Sequence, residues 1–208
     1  MNMLQYIFLT MMLLSTCKAQ NSELIGTCEG CEAIFEFGNK KLSAIDTLID
    51  FTNPGNKIKI SGTVYKNDGI TPARNVILYV YHTNQDGIYP KKGDEKGWAR
   101  RHGYIRGWIK TDEIGKYTFY TLKPGSYPSR DEPAHIHITV LEPNGKYYWI
   151  HDFYFADDPS LTSEDKKNSS IRGGGNRVLN LKKENNLLIG TRDIILGKNV
   201  PGYGTQSE

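Results

Sequence analysis

The sequence has little net charge, and after its first residues it has no apolar run long enough to cross a membrane. Its 26 Lys and Arg nearly balance 23 Asp and Glu, which leaves a formal excess of +3. So small an excess, spread along the chain, argues against nucleic acid or a membrane surface as the main partner. The densest basic stretch, KKGDEKGWARRH, is typical of a solvated loop.

Cysteine is scarce too, with only Cys17, Cys28 and Cys31. No further Cys or His pair stands at a spacing that would complete a zinc site with TCEGCE, which argues against structural zinc. A thiol redox motif would need a βαβ context, and that pattern is missing as well. In an exported protein the remaining interpretation is a small disulfide between Cys28 and Cys31.

The N-terminus carries the longest apolar run, YIFLTMMLLSTC. This run is too short for a transmembrane helix and has the length of a signal-peptide core; a buried N-terminal helix is the alternative. LLSTC resembles a bacterial lipobox, which would place a lipid on Cys17, whereas CKA before Gln20 suits ordinary signal peptidase. We therefore predict that residues 1–19 are a signal peptide or lipoprotein signal. The protein is then exported, to the periplasm, to the outer membrane as a lipoprotein, or out of the cell.

Strong helical periodicity is absent, and short strand patterns separated by turns take its place. The strand patterns are KIKISGTVY, NVILYVYH, YIRGWIK, KYTFYTL, AHIHITVL, YYWIHDFYF and a final hairpin, RVLNLKKENNLLIGTRDIIL, with ENN at its turn. They predict an all-β fold, a β-sandwich of about eight strands or a distorted barrel, with at most one short helix, in DDPSLTSEDKKN. We expect an N-terminal segment with the Cys pair over residues 20–56 and the sandwich domain over residues 57–208.

Histidine is limited to five residues, yet two of them stand one residue apart in DEPAHIHITV. Side chains at i and i+2 of a strand point to one face, about 6.6 Å apart along the chain, so His135 and His137 can converge on one metal ion. An HxH pair is also common as a plain polar strand face and needs partners. Tyr89, after NQDGI, and Tyr127, after KPGS, follow glycine-bearing turns and can supply them, although each taken alone is more typical of an aromatic core residue.

Three stretches in this order resemble the intradiol ring-cleavage dioxygenases: GTVYKNDGITPARNVILYVYHTNQDGIY, RGWIKTDEIGKYTFYTLKPGSYP and EPAHIHITV. The resemblance covers roughly residues 58–157. It implies one non-haem ferric ion held by Tyr89, Tyr127, His135 and His137, a donor set of hard oxygen and imidazole ligands that suits Fe³⁺. It also implies a catechol-type substrate, O₂ as co-substrate and a muconate-type diacid as product. In this mechanism Tyr127 leaves the metal and takes up a substrate proton.

One position departs from the family pattern. The arginine that members carry three residues before the first histidine is replaced by Glu132. Arg130, five residues before His135, is a candidate for that role; the alternative is an ordinary surface arginine. Of the other histidines, His82 and His102 are candidates to line the pocket beside Tyr89, and His151 is expected to be a hydrogen-bonded strand residue.

Two other classes fit parts of the sequence. SGTVYKNDGITPARNVILYV and TDEIGKYTF also resemble transthyretin-like sandwich modules, which bind and do not catalyse. A cupin-type metal enzyme uses HxH on a strand but needs a further downstream histidine, for which only His151 is available. Within the dioxygenase interpretation, catechol, protocatechuate, hydroxyquinol and larger plant phenols all remain open as substrates.

Overall fold

The computed structural model describes residues 21–129, 131–167 and 170–204. The predicted signal segment, Cys17 and Arg130 lie outside the described residues. Over the described ranges, no helix has the length and apolarity that crossing a membrane requires.

Two sheets of six strands make up the described part of the chain. In chain order the elements are β1 (Glu23–Leu24), a 3₁₀ helix (Cys31–Phe35), β2 (Ile45–Thr47), β3 (Lys57–Tyr65), β4 (Ile77–Tyr81), α1 (Ala99–His102), β5 (Arg106–Lys110), β6 (Lys116–Leu122), β7 (His135–Leu141), β8 (Lys146–Phe155), β9 (Val178–Leu179), β10 (Lys182–Glu184), β11 (Leu187–Thr191) and β12 (Ile194–Ile195). The first sheet has the order β1-β8-β7-β4-β5, with β9 on β8, and the second has the order β10-β11-β3-β6-β2, with β12 on β3. The predicted all-β sandwich is confirmed.

The main core lies between the two sheets and follows the period-2 pattern of the strands. Ile58 and Ile60 of β3 are fully buried on either side of Lys59, and Ile136 and Ile138 of β7 pack in the same core from the first sheet. Burial of each such side chain stabilises the fold by about 1.5–3 kcal/mol.

The outer face of the first sheet is covered as well. Cys31, Ala33 and Ile34 of the 3₁₀ helix pack there against Tyr79 and Trp108. As predicted, Cys28 and Cys31 form a disulfide, which closes the start of this helix. β1 and β2 pair with β8 and β6, so the described part of the N-terminal segment lies against both sheets. Because the N-terminal segment covers the outer face of the first sheet, β7 is buried on both of its faces.

The strand count and the helix position differ from the sequence prediction. The described ranges contain twelve strands instead of about eight, because five of them have only two or three residues, too short for a periodic pattern. Among the described residues the one α-helix is Ala99–His102, inside the basic stretch interpreted as a loop, and those of DDPSLTSEDKKN form turns. There, Thr162 and Asp165 bond each other's backbone N–H as in a capping box, but no apolar face follows to propagate a helix.

Candidate metal centre

Four side chains from three segments meet on the outer face of the first sheet. His135 and His137 lie on β7, Tyr89 lies in the loop after β4, and Tyr127 lies in the loop between β6 and β7. The Tyr89 hydroxyl oxygen lies 2.5 Å from that of Tyr127 and 2.8 Å from His137 Nε2. Tyr127 Oη lies 3.5 Å from His135 Nε2 and 3.4 Å from His137 Nε2, and the two Nε2 atoms are 3.1 Å apart. The structure therefore brings together all four metal ligands predicted from the sequence.

The glycines of the two tyrosine motifs let the two loops touch. The N–H of Gly125 donates to the carbonyl of Asn84 at 2.9 Å, and the Thr83 hydroxyl donates to the carbonyl of Gly125 at 2.8 Å. Gly87 has φ 74°, and a Cβ there would collide with the carbonyl oxygen of Ser126. Glycine is required at this point both for the left-handed backbone and for the close approach. This crossing fixes Tyr89 and Tyr127 side by side.

Each histidine has its Nδ1 engaged and its Nε2 directed at the site. His135 Nδ1 lies 2.7 Å from the carbonyl oxygen of Pro133, so Nδ1 must carry the proton and Nε2 the lone pair. His137 Nδ1 lies 3.2 Å from Asp152 Oδ1, which imposes the same tautomer. A carbonyl or carboxylate behind the ring is the usual arrangement for a histidine that ligates a metal.

The charges around the site bias its protonation states. Burial raises the pKa of the Tyr89 hydroxyl, and its hydrogen bond to Tyr127 raises that pKa further. Burial and the neighbouring His137 lower the pKa of His135. Burial also acts to lower the pKa of His137, but the negative charge of Asp152 outweighs it and the pKa is raised. A bound cation would reverse the effect on Tyr89 by stabilising the phenolate.

The donor set fits a ferric ion. Ligand atoms about 2.1 Å from a first-row metal ion and at right angles to each other lie about 3 Å apart. The contacts among the four atoms, from 2.5 to 3.5 Å, bracket that separation. Two phenol oxygens and two imidazole nitrogens are ligands that a hard trivalent ion accepts.

Asp152 is a site residue that the sequence interpretation missed. It forms with His135 and His137 a group whose ligand atoms lie within 4.8 Å of one another. Its carboxylate, however, contacts Nδ1 of His137, behind the ring and away from the Nε2 atoms that face the tyrosines. We therefore assign it to the orientation of His137 rather than to the donor set.

A β-bulge directs Asp152 toward His137. Ile136 pairs with Phe153 and Ile138 pairs with Ile150, so two residues of β8 stand opposite His137 alone. Regular alternation from Ile150 would have turned Asp152 into the core, and the extra residue turns it outward instead. A carboxylate within the apolar run WIHDFYF was the one signal in the sequence.

Three of the four donor side chains line a cleft of about 230 Å³, called here the donor cleft. Besides Tyr89, Tyr127 and His137, it is lined by Tyr81, Trp98 and His102 and by the charged residues Glu29 and Arg101. The Tyr81 ring stacks on His137 with centroids 4.5 Å apart and on His102 with centroids 3.8 Å apart. The cleft therefore has flat aromatic walls beside the four donors.

Of the other three histidines, His102 lines the donor cleft and His82 and His151 do not. His102 lines the donor cleft as expected, and its Nδ1 is 2.8 Å from the Tyr79 hydroxyl. His82 does not line it: one residue after Tyr81, its side chain points to the opposite face and bonds Thr121 of the other sheet at 2.8 Å. His151 accepts the backbone N–H of Arg172 at 2.9 Å, which agrees with a hydrogen-bonded strand residue.

A two-sheet sandwich with two tyrosines and two histidines converging on its outer face has the donor set expected of a metal-binding β protein. A family model described as Dioxygenase matches residues 36–187 of the chain. The chain therefore belongs to the intradiol ring-cleavage dioxygenase family, which implies a non-haem iron centre.

The curated relatives match over part of their length. The beta chain of protocatechuate 3,4-dioxygenase from Burkholderia cepacia is 32% identical over 116 residues, which cover 51% of this chain and 48% of the relative. Catechol 1,2-dioxygenase 2 from Acinetobacter lwoffii is 30% identical over 141 residues, covering 55% and 50%. The chain thus spans about half the length of these relatives.

Solved structures share the fold. The dioxygenase domain of a dioxygenase carbohydrate-binding protein fusion from Streptomyces sp. SirexAA-E aligns with a TM-score of 0.56 at 24% identity, over 77% of this chain and 94% of that one. An intradiol ring-cleavage dioxygenase from Tetranychus urticae aligns with a TM-score of 0.52 at 20% identity, over 82% and 92%. At such identities the likeness establishes the sandwich fold alone.

Proposed function

We propose that this protein is a ferric intradiol dioxygenase that cleaves a catechol-type ring between its two hydroxyl-bearing carbons. The observation that carries the proposal is the convergence of Tyr89, Tyr127, His135 and His137, whose contacts with one another measure 2.5 to 3.5 Å, beside an aromatic cleft. Family membership supports the same reaction class.

Ferric iron, when bound, would supply an electrophilic centre that draws electron density from a catecholate and makes a ring carbon reactive toward O₂. Tyr127 Oη accepts the proton of a substrate hydroxyl as the ring enters. Pro133 and Asp152 accept from Nδ1 of His135 and His137, which directs Nε2 of each ring to the metal. Both atoms of O₂ enter the product, a cis,cis-muconate-type diacid, so no further reductant is needed.

Arg130 belongs to the proposal as the residue that stabilises negative charge on the ring in place of the arginine absent at Glu132. If it does so, Arg130→Ala lowers turnover by about 10²–10³-fold, as the loss of other transition-state partners does. An effect below about twofold would identify it as a surface residue.

Iron content, colour and product test the proposal together. Purified protein reconstituted with Fe³⁺ should hold one ion per chain and absorb visible light through tyrosinate-to-iron charge transfer. His135→Ala and His137→Ala should each lose most of the iron, whereas the control His151→Gln, which changes a histidine outside the donor set, should keep it. Tyr127→Phe should retain iron and lose turnover, since its proton acceptor is gone.

With catechol and O₂ the product should be a muconate, with no extradiol semialdehyde. Protein that folds but stays colourless and inactive after reconstitution would refute the enzyme and favour a transthyretin-like binding module. Coloured protein that cleaves no catechol would leave the metal site standing, and wider phenols would then be the substrates to test.

We further propose that the protein is exported, with residues 1–19 as the signal and a lipid at Cys17 or a mature start at Gln20. The Cys28–Cys31 disulfide supports this, because disulfides persist in oxidising compartments. Mass spectrometry of the native N-terminus tests it, and a chain that retains Met1 would rule the proposal out.

A further inference from the structure

One wall of the donor cleft lies outside the family match. The match begins at residue 36, whereas Glu29, which lines the cleft, belongs to the loop of residues 27–31. The disulfide between Cys28 and Cys31 closes this loop, called here the disulfide loop. The opposite wall is α1, which carries Arg101 and His102.

The disulfide loop packs against α1 and is also bonded to β7 and β8 of the first sheet. Gly30 has φ 89°, and a Cβ on it would lie 2.8 Å from His102 Nε2, so the backbone itself packs on the imidazole. The Trp149 indole N–H donates to the Thr27 carbonyl at 3.1 Å, and the Thr139 hydroxyl lies 3.8 Å from Cys31 Sγ. These contacts fix Glu29 at the edge of the cleft.

Glu29 and Arg101 form an ion pair between the two walls. Their side chains keep 72% and 64% of their exposure, so the pair is solvent-screened and contributes little to stability. Arg106 and Glu36, by contrast, are paired at 2.5 Å with only 16% and 26% exposure. The Glu29–Arg101 pair is therefore the one that a competing anion can replace at small cost.

Arg101 is the only Lys or Arg among the described residues that line the donor cleft. A guanidinium presents a planar fork of donors that matches a carboxylate in two parallel hydrogen bonds. The cleft is small compared with pockets for drug-sized ligands, so it suits a single ring. A ring whose hydroxyls face Tyr89 and Tyr127 then has its other edge available to α1.

We propose that Arg101 binds an anionic substituent on the substrate ring and that Glu29 is the internal competitor that occupies Arg101 until such a ring arrives. The inference rests on the proposed function, since it assigns specificity to that same cleft. It makes the disulfide loop, which precedes the family match, a specificity element of this chain.

The test separates binding from turnover. Dissociation constants for catechol and for 3,4-dihydroxybenzoate are measured by calorimetry on the iron-loaded protein without O₂, for wild type, Arg101→Gln, Glu29→Gln and the control Arg100→Gln. Arg100 is the neighbouring arginine, which bonds the Glu95 carbonyl and does not line the cleft. Turnover of both compounds is then measured with O₂.

Arg101→Gln should weaken binding of the carboxylated ring relative to catechol by about tenfold, or about 1.4 kcal/mol. Glu29→Gln should improve the same ratio by a few-fold, and Arg100→Gln should leave it unchanged. The wild-type preference should also fall with added salt, as expected for an exposed ion pair. Two results would overturn the assignment. Arg101→Gln could weaken the binding of both rings equally, or Arg100→Gln could shift the ratio of the two dissociation constants as much as Arg101→Gln does. If both rings bind with the expected ratios and neither is cleaved, the proposed reaction fails and the role of Arg101 stands.

Discussion

Asp152 offers the sharpest test of how the centre is built. Asp152→Asn keeps the size of the side chain and an oxygen that can accept from His137 Nδ1, but it removes the negative charge 3.2 Å behind the ring. Two full charges at that separation and an effective dielectric constant of about 20 would interact by about 5 kcal/mol, which is the upper limit of the effect. A metal-bound imidazole carries only part of a charge. We therefore expect the typical loss for such a partner, about 10–100-fold in iron affinity, or about 1.4–2.7 kcal/mol.

Competition between the apoprotein and a chelator, followed by visible absorbance, measures this affinity. Asp157→Asn is the matched control, because Asp157 is 66% exposed and pairs with Lys123 rather than with a donor residue. If Asp152 were itself a ligand, Asp152→Asn would lose iron as completely as His137→Ala. An affinity equal to that of the Asp157→Asn control would show instead that the hydrogen bond to His137 does not tune the metal.

Three further outcomes follow from the packing. Burial lowers the pKa of His82 to about 4, below the unfolded value of about 6.5, so stability present above pH 6.5 is lost as the pH falls toward 4. His82→Gln should remove up to about 2 kcal/mol of that dependence, as read from urea unfolding at pH 7.5 and 5. Gly87→Ala should destabilise the fold by about 1–3 kcal/mol and weaken iron binding, because its Cβ meets the Ser126 carbonyl at positive φ; thermal unfolding and iron content report both. Ile136→Ala should cost about 2–5 kcal/mol in urea unfolding, while Ile70→Ala, at 80% exposure, should change little.

The sequence was sufficient for the long strands because they depend on local alternation, and the family resemblance pointed to the four side chains that the structure brings together. Alternation in KIKISGTVY predicts which residues of β3 enter the core, and Ile58 and Ile60 do so. The spacing of His135 and His137 predicts a shared face, and their Nε2 atoms lie 3.1 Å apart. The glycine-bearing turns before both tyrosines are also visible in the sequence. The crossing of the two loops, which makes glycine necessary, is not.

The features that the sequence did not predict depend on register and on contacts between distant segments. The bulge that turns Asp152 outward exists only in the pairing of β7 with β8. The disulfide loop meets α1 across about 70 residues of chain, with Glu29 beside Arg101, and no local pattern connects the two. His82 is a sequence candidate for the pocket beside Tyr89, whereas alternation after Tyr81 assigns it to the core.

The hydrophobic core and the candidate metal centre use opposite faces of the same strand, β7. Ile136 and Ile138 pack between the sheets, and His135 and His137 project from the opposite side of β7. A register slip of one residue would exchange the two sets, burying imidazoles and exposing isoleucines, so the core enforces the register that the donors require. The bulge on β8 adds Asp152 behind His137 while Ile150 and Phe153 keep their places against Ile138 and Ile136. The site thus gains a charged partner without loss of an apolar contact, which is why we expect Asp152→Asn to change iron affinity more than the free energy of unfolding.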